Sequence, residues 1–377
     1  MSHWSFLVVV VVITALAFDF TNGFHDTANA MATSVATGAL PPKVAVAISG
    51  ALNLVGAFLS TEVAKTISGG IVDDGLVTPW MIFAGLVGAI VWNLLTWLFG
   101  LPSSSSHALF GGLIGAVWVG AGVKGVHFSE VTEKILIPAV ASPVVAGVVA
   151  MVATYLAYVI TRRGREREVT RGFRIGQVAS ASLVSLAHGT NDAQKTMGVI
   201  TLTLISAGIL SHGSGPPWWV VLMAGLAIAL GTYAGGWRII RTMGKGLTDI
   251  QSPQGFAAET ASTTVILASS HLGFALSTTQ VCSGGILGAG IGRRLAEVRW
   301  NVAGRMALAW LFTLPAAAAV GGVAAAVARQ GTAGIVIICV AALAVASAIY
   351  VISRRDPVDS RNVNDQPAAP AMSATAA

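Results

Sequence analysis

Two short stretches of an otherwise apolar sequence concentrate side chains that can bind ions. The first reads NGFHDTANAM over residues 22–31, and the second reads HGTNDAQKTMG over residues 188–198. Asp26 and Asp192 hold the same place in the two stretches. Because an ionised carboxylate in an apolar setting needs a partner or a function, the repetition predicts a functional polar site. Capping of helices at a membrane surface is the alternative, and the duplication makes it less favoured.

Two hydroxyl-rich stretches supply a different kind of donor. They read LPSSSSHALFGG over residues 101–112 and LSTTQVCSGG over residues 276–285. One hydroxyl is enough to cap a helix, whereas a tetrahedral oxyanion stripped of water needs many neutral donors. Hydroxyls and free N–H groups at a helix N-terminus provide such donors, and the helix dipole adds to them. The two stretches therefore predict an anion site, with simple helix capping as the alternative.

The candidate residues fall into two groups by their chemistry. Carboxylates repel an oxyanion at short range, so they are expected to hold the cation or proton that accompanies the anion. Lys195 is expected either to contact the anion or to pair with Asp192, and the pairing is slightly favoured. Glu259 is expected either to sit at a helix N-terminus or to relay a proton. The anion-binding candidates are Ser104, Ser105, Ser106, His107, Lys195, Ser277, Thr278, Thr279 and Gln280, and the candidates for the coupling ion or proton are His25, Asp26, Asn29, Asn191, Asp192 and Glu259.

The residues around Asp26 also predict the local backbone. Gly23 and a polar cluster follow the apolar run FLVVVVVITALAF, which predicts a helix that breaks here and restarts. Broken helices expose backbone groups that transporters use as ion sites. Asn29 follows Asp26 by three residues and would share its helix face. We find no nucleophile paired with a base, no phosphate-binding glycine loop and no zinc motif, so neither an enzyme nor a cofactor is expected, and no metal ligand set is identified.

The composition defines the setting of these motifs. The chain has 377 residues, of which 54% are hydrophobic and 10% are charged, against about 25% charged in soluble domains. We therefore predict an all-α polytopic membrane protein with roughly ten to twelve crossings or half-crossings of about 20 apolar residues. The first apolar run is expected to be a retained helix and not a signal peptide. The longest apolar stretches cover residues 44–63, 80–99, 135–160, 218–234, 302–327 and 334–352.

The distribution of charged residues and cysteines indicates how the chain is oriented in the membrane and gives no sign of a further binding site. The net charge of +6 comes from basic residues in short loops and forms no nucleic-acid patch. Six arginines occur within residues 162–174, and arginine-rich short loops stay in the cytoplasm. The two cysteines, Cys282 and Cys339, lie in apolar segments, which argues against a disulfide framework or a thiolate metal site.

The basic loop also divides the chain into two similar halves. Three blocks match across it in order, at offsets of 166, 176 and 173 residues. Duplicated halves, often inverted, are typical of secondary transporters. We predict a first transmembrane repeat over 1–161, a cytoplasmic loop over 162–174, a second repeat over 175–353 and a disordered polar tail over 354–377. Arg354 and Arg355 argue against an external C-terminus, although inversion alone would place both chain ends opposite the basic loop.

Taken together, these motifs resemble those of the inorganic phosphate transporter (PiT) family. The family carries a repeated G-x-N-D-x-A-N-A motif, here GFHDTANA (23–30) and GTNDAQKT (189–196), with hydroxyl partners PSSSSH (102–107) and LSTTQ (276–280). His25 departs from the asparagine common at its position. That departure resembles the bacterial branch, which is regarded as proton-coupled, and it disfavours sodium coupling.

The resemblance implies a specific activity and setting. It implies a multi-pass protein of the plasma (inner) membrane, forming a homodimer with substrate held between two inverted repeats. The implied activity is low-affinity phosphate symport driven by protons, with phosphate carried in some members as a divalent metal complex. Sodium-coupled phosphate symport and proton-coupled sulfate symport are the alternatives within transport. A phosphate channel and a membrane phosphotransferase are less favoured.

Overall fold

The computed structural model describes residues 5–293 and 298–365. This part of the chain is α-helical, with no β-strand beyond two isolated bridge pairs. The predicted all-α class of polytopic membrane protein is confirmed. The helices are α1 Phe6–Ala36, α2 Pro42–Gly56, α3 Glu62–Gly69, α4 Pro79–Leu98, α5 Ser105–Ala121, α6 Phe128–Val131, α7 Ile137–Thr161, α8 Glu166–Ser206, α9 Trp218–Ala234, α10 Trp237–Arg241, α11 Ser252–His271, α12 Thr278–Gly292, α13 Trp300–Ala328 and α14 Thr332–Ser353.

Local sequence explains where several of these helices begin. Pro42 and Pro79 open α2 and α4, at a position where the missing N–H of proline costs no helical hydrogen bond. Ser104 and Ser277 are the N-caps of α5 and α12, and each hydroxyl oxygen accepts the backbone N–H three residues on, at 3.1 and 3.3 Å. The hydroxyl stretches therefore do begin helices, as the capping interpretation requires.

The long apolar helices account for the membrane-spanning character. Among the described residues, five helical segments are long and apolar enough to cross a membrane: α1, α4, α13, α14 and the continuous segment 128–161 that ends in α7. The pair formed by α9 and residues 237–246, bent by 61°, would be a sixth. The predicted stretch 218–234 coincides with α9, whereas 44–63 is divided between α2 and α3. The predicted count of ten to twelve crossings and half-crossings stays a prediction.

The aspartate motifs do not interrupt their helices, so the predicted helix break at Asp26 is wrong. The α1 helix runs for 31 residues and α8 for 41 residues straight through the motifs. The motif glycines serve close packing instead. A Cβ on Gly23 would lie 2.3 Å from the backbone oxygen of Ile228 in α9, and a Cβ on Gly189 would lie 2.3 Å from that of Asn53 in α2. Glycine is needed here because two helix backbones touch.

The chain does break at the hydroxyl motifs. The helices α4 and α5 form an antiparallel hairpin whose tip is residues 99–104, and α11 and α12 form a second hairpin whose tip is residues 272–277. In the second hairpin, Gln254 near the start of α11 donates to the backbone oxygen of Ala289 near the end of α12, at 3.3 Å. The hydroxyl-bearing N-termini of α5 and α12 therefore follow directly after the hairpin tips.

Two predicted segment boundaries need correction. Only residues 162–165 of the predicted loop are non-helical, because α8 begins at Glu166. Part of the predicted disordered tail is ordered: the side chain of Val363 is only 1% exposed, and Arg241 donates to the backbone oxygen of Asn362 at 2.8 Å. Asn364 donates to the backbone oxygen of Val35 at 3.4 Å, so this segment packs against the end of α1. Residues 366–377 of the predicted tail lie outside the described residues.

Candidate functional site

The polar motifs of both halves meet in one buried region of the helix bundle. Residues of α1 and α8 supply carboxylates, imidazoles and an ammonium, and the N-termini of α5 and α12 supply hydroxyls. Each of the fifteen predicted site residues is at most 5% exposed. Such burial is costly for charged groups unless they are paired or hydrogen-bonded, so the partners of each group define what the site can do.

The Asp26 carboxylate accepts hydrogen bonds from both hairpins. Ser105 Oγ donates to its Oδ2 at 2.7 Å, and Thr279 Oγ1 donates to its Oδ1 at 3.2 Å. The Nδ1 atom of His25 lies 2.7 Å from the same Oδ1. Asp26 is thus tied to α5, to α12 and to its own neighbour on α1.

The second imidazole nitrogen of His25 extends this network. Its Nε2 lies 3.2 Å from Thr96 Oγ1 and 3.3 Å from Ser103 Oγ, and these two hydroxyl oxygens are 2.8 Å apart. Both ring nitrogens therefore have partners, one a carboxylate and the other a hydroxyl pair. A proton can be held on either side of the ring without leaving a donor unpaired.

The Asp192 carboxylate is paired with a cation, unlike Asp26. Lys195 Nζ donates to its Oδ1 at 2.6 Å, and His188 Nε2 lies 3.4 Å from its Oδ2. The same ammonium donates to Ser106 Oγ at 2.6 Å and to the backbone oxygen of Leu276 at 2.9 Å. The favoured alternative for Lys195, pairing with Asp192, is what the structure has. Lys195 also reaches both hairpins.

One hydroxyl joins the two carboxylates. Thr278 Oγ1 lies 3.4 Å from Asp26 Oδ2 and 3.2 Å from Asp192 Oδ2. Asn29, one turn after Asp26, donates to Thr278 Oγ1 at 3.3 Å and to Thr279 Oγ1 at 3.1 Å. One ligand atom each from Asp26, His188 and Asp192 lies within 4.8 Å of the others. These three residues could together hold a cation.

The remaining residues of the hydroxyl motifs surround this centre. The oxygens of Ser104 and Ser277 accept cap hydrogen bonds, as described above, so they contribute to helix starts as well as to the polar lining. His107 and Gln280 follow three residues later on α5 and α12 and are buried, and the Oε1 atom of Gln280 has no hydrogen-bond partner. An anion-binding role for these four residues stays a prediction.

Asn191 bonds to the end of α11 and to the tip of the second hairpin instead of to the carboxylates. Its Nδ2 donates to Ser270 Oγ at 2.8 Å and to the backbone oxygen of Phe274 at 3.4 Å. Gln194 accepts the backbone N–H of Val63, at the start of α3, at 2.8 Å. These side chains hold α11 and α3 in place. Residues of both helices line a cavity of about 380 Å³, and Lys65, Lys134 and His271 are among them. The coupling role expected of Asn191 stays a prediction.

Glu259 belongs to a separate polar cluster. Its carboxylate accepts hydrogen bonds from Thr33 Oγ1 at 2.5 Å, Ser34 Oγ at 2.7 Å, Gln177 Nε2 at 3.3 Å and the hydroxyl of Ser180. Thr33 follows Asp26 by seven residues on α1, which corresponds to about 10 Å along a helix. The N-terminal alternative does not fit, because Glu259 lies in the third turn of α11, which begins at Ser252.

Several participants have no signal in the sequence. Thr96 and Ser103 reach His25 only because the tip of the α4–α5 hairpin folds against α1. Asn53 Oδ1 lies 3.1 Å from His188 Nδ1, and its Nδ2 donates to Thr232 at 2.7 Å. Asn53 sits in an ordinary apolar stretch, so nothing in its local sequence distinguishes it. Proximity to a motif marks His188, which stands four residues before Asp192.

This architecture defines the class of protein. Apolar helices close around a buried polar site that lies at the tips of two helical hairpins, which is the architecture of a multi-pass membrane transporter. It belongs to the phosphate transporter family: the model of that family matches residues 22–167 and again residues 160–321. As a family member with several apolar helices, it is a protein of the plasma membrane.

Similar proteins support the same assignment. A "probable low-affinity inorganic phosphate transporter" of Mycobacterium tuberculosis (strain CDC 1551 / Oshkosh) is 58% identical over 95% of this chain and 87% of that protein. A protein of the same description from Bacillus subtilis (strain 168) is 41% identical over 84% of this chain and 96% of its own length. A solved structure described as "The sodium-dependent phosphate transporter" has the same fold, with a TM-score of 0.73 and 22% identity over 86% of this chain and 100% of that chain.

Proposed function

We propose that this chain takes up inorganic phosphate as a secondary transporter driven by a proton gradient. The observation that carries the proposal is the convergence of hydroxyl donors from two hairpin tips on two buried carboxylates and one ammonium. Hydroxyls and helix N-termini suit a desolvated oxyanion, and membership of the phosphate transporter family supports phosphate as that oxyanion. The carboxylates supply the sites that couple the anion to a second ion.

Charge balance supports the need for a coupled cation. With both imidazoles neutral, Asp26, Asp192 and Lys195 sum to a charge of −1. A phosphate monoanion would bring the buried site to −2. Like charges 4 Å apart repel by about 4 kcal/mol at an effective dielectric constant of about 20. Uptake of protons by the carboxylate–imidazole groups removes this repulsion, so anion and proton bind favourably together.

An exchange of hydrogen-bond partners would link the two binding events. Ser105 and Thr279 now donate to Asp26, and Thr278 lies within reach of both carboxylates. A protonated carboxyl group needs fewer donors than a carboxylate. Protonation at Asp26 would therefore release hydroxyl donors to the phosphate oxygens. Deprotonation would return the hydroxyls to the carboxylate and favour release of phosphate.

Glu259 is a further candidate on the path of the proton. Four neutral donors surround its buried carboxylate, and they belong to α1 and α8, the helices that carry the central site. Hydroxyl donors can rotate to become acceptors, so the same cluster can stabilise a protonated carboxyl group as well as a carboxylate. We propose that Glu259 accepts a proton on its way from the central site.

We further propose that the transporter consists of two inverted repeats. The support is a matching order of elements: α1 to α5 and α7 correspond to α8 to α13, with an aspartate motif on the first helix and a hydroxyl motif after the hairpin tip. The family model matches each half separately. The final helix, α14, has no counterpart in the first half. An added helix would return the C-terminus to the side of the basic segment, in keeping with Arg354 and Arg355.

Sodium coupling is the second candidate. It is favoured by the three ligand atoms of Asp26, His188 and Asp192, which lie close enough to share one cation. The solved structure of the same fold is described as sodium-dependent. Homodimer formation, transport of a divalent metal–phosphate complex and transport of sulfate stay predictions from the family resemblance.

Reconstitution tests this proposal directly. Purified protein in liposomes is given labelled phosphate or labelled sulfate, with a pH gradient or a sodium gradient imposed separately and the membrane potential clamped. We expect phosphate accumulation when the outside is more acidic, and no accumulation from a sodium gradient at equal pH. Accumulation driven by sodium alone would favour the second candidate. Preference for sulfate would overturn the substrate, and flux without accumulation would indicate a channel.

A further inference from the structure

A buried carboxylate outside the site described so far has no partner. Asp19 lies on α1, seven residues before Asp26, and is 0% exposed. Neither of its carboxylate oxygens has a hydrogen-bond partner. The mechanism proposed above uses Asp26 and Asp192 and assigns nothing to Asp19. Because a bare buried carboxylate is strongly disfavoured, this group needs a ligand.

The polar side chains beside Asp19 also lack hydrogen-bond partners. Asn22 follows it by one turn on α1, and Thr196 faces it from α8. Both amide atoms of Asn22 and the hydroxyl oxygen of Thr196 lack hydrogen-bond partners, although both residues are at most 1% exposed. Asn93 on α4, three residues before the Thr96 that contacts His25, is fully buried with both amide atoms unpartnered. Polar groups that are buried and unpartnered are rare in native proteins.

Thr196 connects this cluster to the central site. It directly follows Lys195 on α8, the helix that also carries Asp192. Lys195 Nζ is already committed to Asp192, Ser106 and Leu276, so it does not pair with Asp19. A negative charge on Asp19 would repel Asp192 and an incoming anion alike. A neutral Asp19 would remove that repulsion.

Protonation of Asp19 would give the unpaired polar atoms of this cluster hydrogen-bond partners. A carboxylic acid carries one O–H donor, and the vacant acceptors beside it are Asn22 Oδ1 and Thr196 Oγ1. The amide N–H₂ of Asn22 and the hydroxyl proton of Thr196 can in turn donate to the remaining carboxyl oxygen. A single added proton therefore supplies the missing charge compensation and begins a hydrogen-bonded network.

We propose that Asp19, with Asn22 and Thr196, is a second binding site for a transported proton. This inference rests on the proposed proton-driven uptake of phosphate. A proton from the outer solution binds the Asp19 carboxylate as the anion enters near Lys195, and it leaves to the inner solution when the anion departs. No other bond forms or breaks. Asp19 thus adds one proton to those carried with each phosphate.

The decisive measurement is the number of protons carried per phosphate. Liposomes with an internal pH dye report proton entry while labelled phosphate reports uptake, in wild type, Asp19→Asn and the matched control Asp249→Asn, whose side chain is exposed. We expect Asp19→Asn to carry one proton fewer per phosphate, and the control to equal wild type. An unchanged ratio in Asp19→Asn overturns the Asp19 site but leaves the proposed function intact. A wild-type protein that moves no protons overturns the proposed function as well.

Labelling of the wild-type protein provides a test that does not depend on the folding of a variant. A hydrophobic carbodiimide adds to a protonated carboxylic acid and leaves a stable acylurea that peptide mass spectrometry locates. We expect labelling of Asp19 that falls as the pH is raised and that does not respond to sodium at fixed pH. Labelling that sodium blocks at fixed pH would make this a cation site and overturn the proton assignment. Labelling that is independent of pH would also overturn it.

Discussion

Lys195 Nζ lies 2.6 Å from Asp192 Oδ1 in a region where both side chains are at most 1% exposed. The ammonium also donates to Ser106 at 2.6 Å, so one cation connects a buried carboxylate with the hydroxyl motif of α5. Removal of one partner from a buried ion pair leaves an uncompensated charge. Lys195 is therefore expected to contribute to the stability of the site and, in the proposed function, to its affinity for phosphate.

Lys195→Gln should weaken both properties. The amide cannot neutralise Asp192, and we expect a loss of roughly 3–5 kcal/mol in the free energy of unfolding together with at least a tenfold rise in the KM for phosphate. Thermal unfolding in detergent and uptake kinetics in liposomes measure the two effects. Lys124→Gln, at an exposed position, is the control. A variant with wild-type KM and stability would mean that the pair is dispensable.

Thr278→Ala should raise the KM for phosphate, whereas Thr278→Ser should not. The alanine variant removes the hydroxyl that lies near both Asp26 and Asp192, and loss of one donor to a desolvated anion costs roughly 1–3 kcal/mol. The serine variant keeps the hydroxyl and serves as its matched control. Ser105→Ala should behave like Thr278→Ala. Equal affinities in all three variants would mean that these hydroxyls do not bind the anion.

Asp26→Asn and Asp192→Asn should each abolish accumulation of phosphate against its gradient. An amide cannot take up and release a proton, although it keeps a similar shape and is easier to bury than a charge. We expect both variants to insert and to retain some exchange of phosphate down its gradient, because the hydroxyl donors remain. Counterflow and uphill uptake are measured on the same liposomes. Uphill uptake at the wild-type rate by either variant would assign that aspartate a structural role.

His25→Asn should make uptake less responsive to pH. The imidazole lies 2.7 Å from Asp26 and contacts Thr96 on its other side, so it can hold a proton beside the carboxylate, which asparagine cannot. Uptake by wild type should rise as the outer solution becomes more acidic, and the variant should have a flatter profile. His212→Asn, whose histidine side chain is 70% exposed, controls for loss of an imidazole. Identical pH profiles for wild type and His25→Asn would exclude this histidine from coupling.

Removal of residues 356–377 should destabilise the protein more than removal of residues 366–377 alone. The longer truncation exposes the surface that buries Val363, and burial of a valine side chain contributes roughly 1.5–3 kcal/mol. It also removes the contacts of Asn362 with Arg241 and of Asn364 with Val35. Thermal unfolding compares the two truncations. Equal midpoints would show that the ordered part of the tail contributes little.

The sequence alone was enough to determine the class of the protein and most of the residues of its central site. The long apolar runs are suited to a membrane, and the few charged residues are not enough to cover the surface of a soluble protein. The duplicated aspartates and hydroxyl runs were identifiable because charged and polar groups are costly in that setting. The free-energy cost of placing a charged group in a membrane does not depend on which helices surround it. Such residues can therefore be identified from the sequence without knowledge of the fold.

Only the tertiary structure decided which of those groups face one another. The aspartate motifs look like helix breaks in the sequence, because glycine beside polar residues is typical of a break. In the fold, Gly23 and Gly189 permit helix contacts, and the breaks fall at the hydroxyl motifs. Contacts such as that of His25 with Thr96, or Asp192 with Thr278, join residues 71 and 86 positions apart. Such pairings depend on how helices pack, and side-chain periodicity along one helix carries no information about the partner helix.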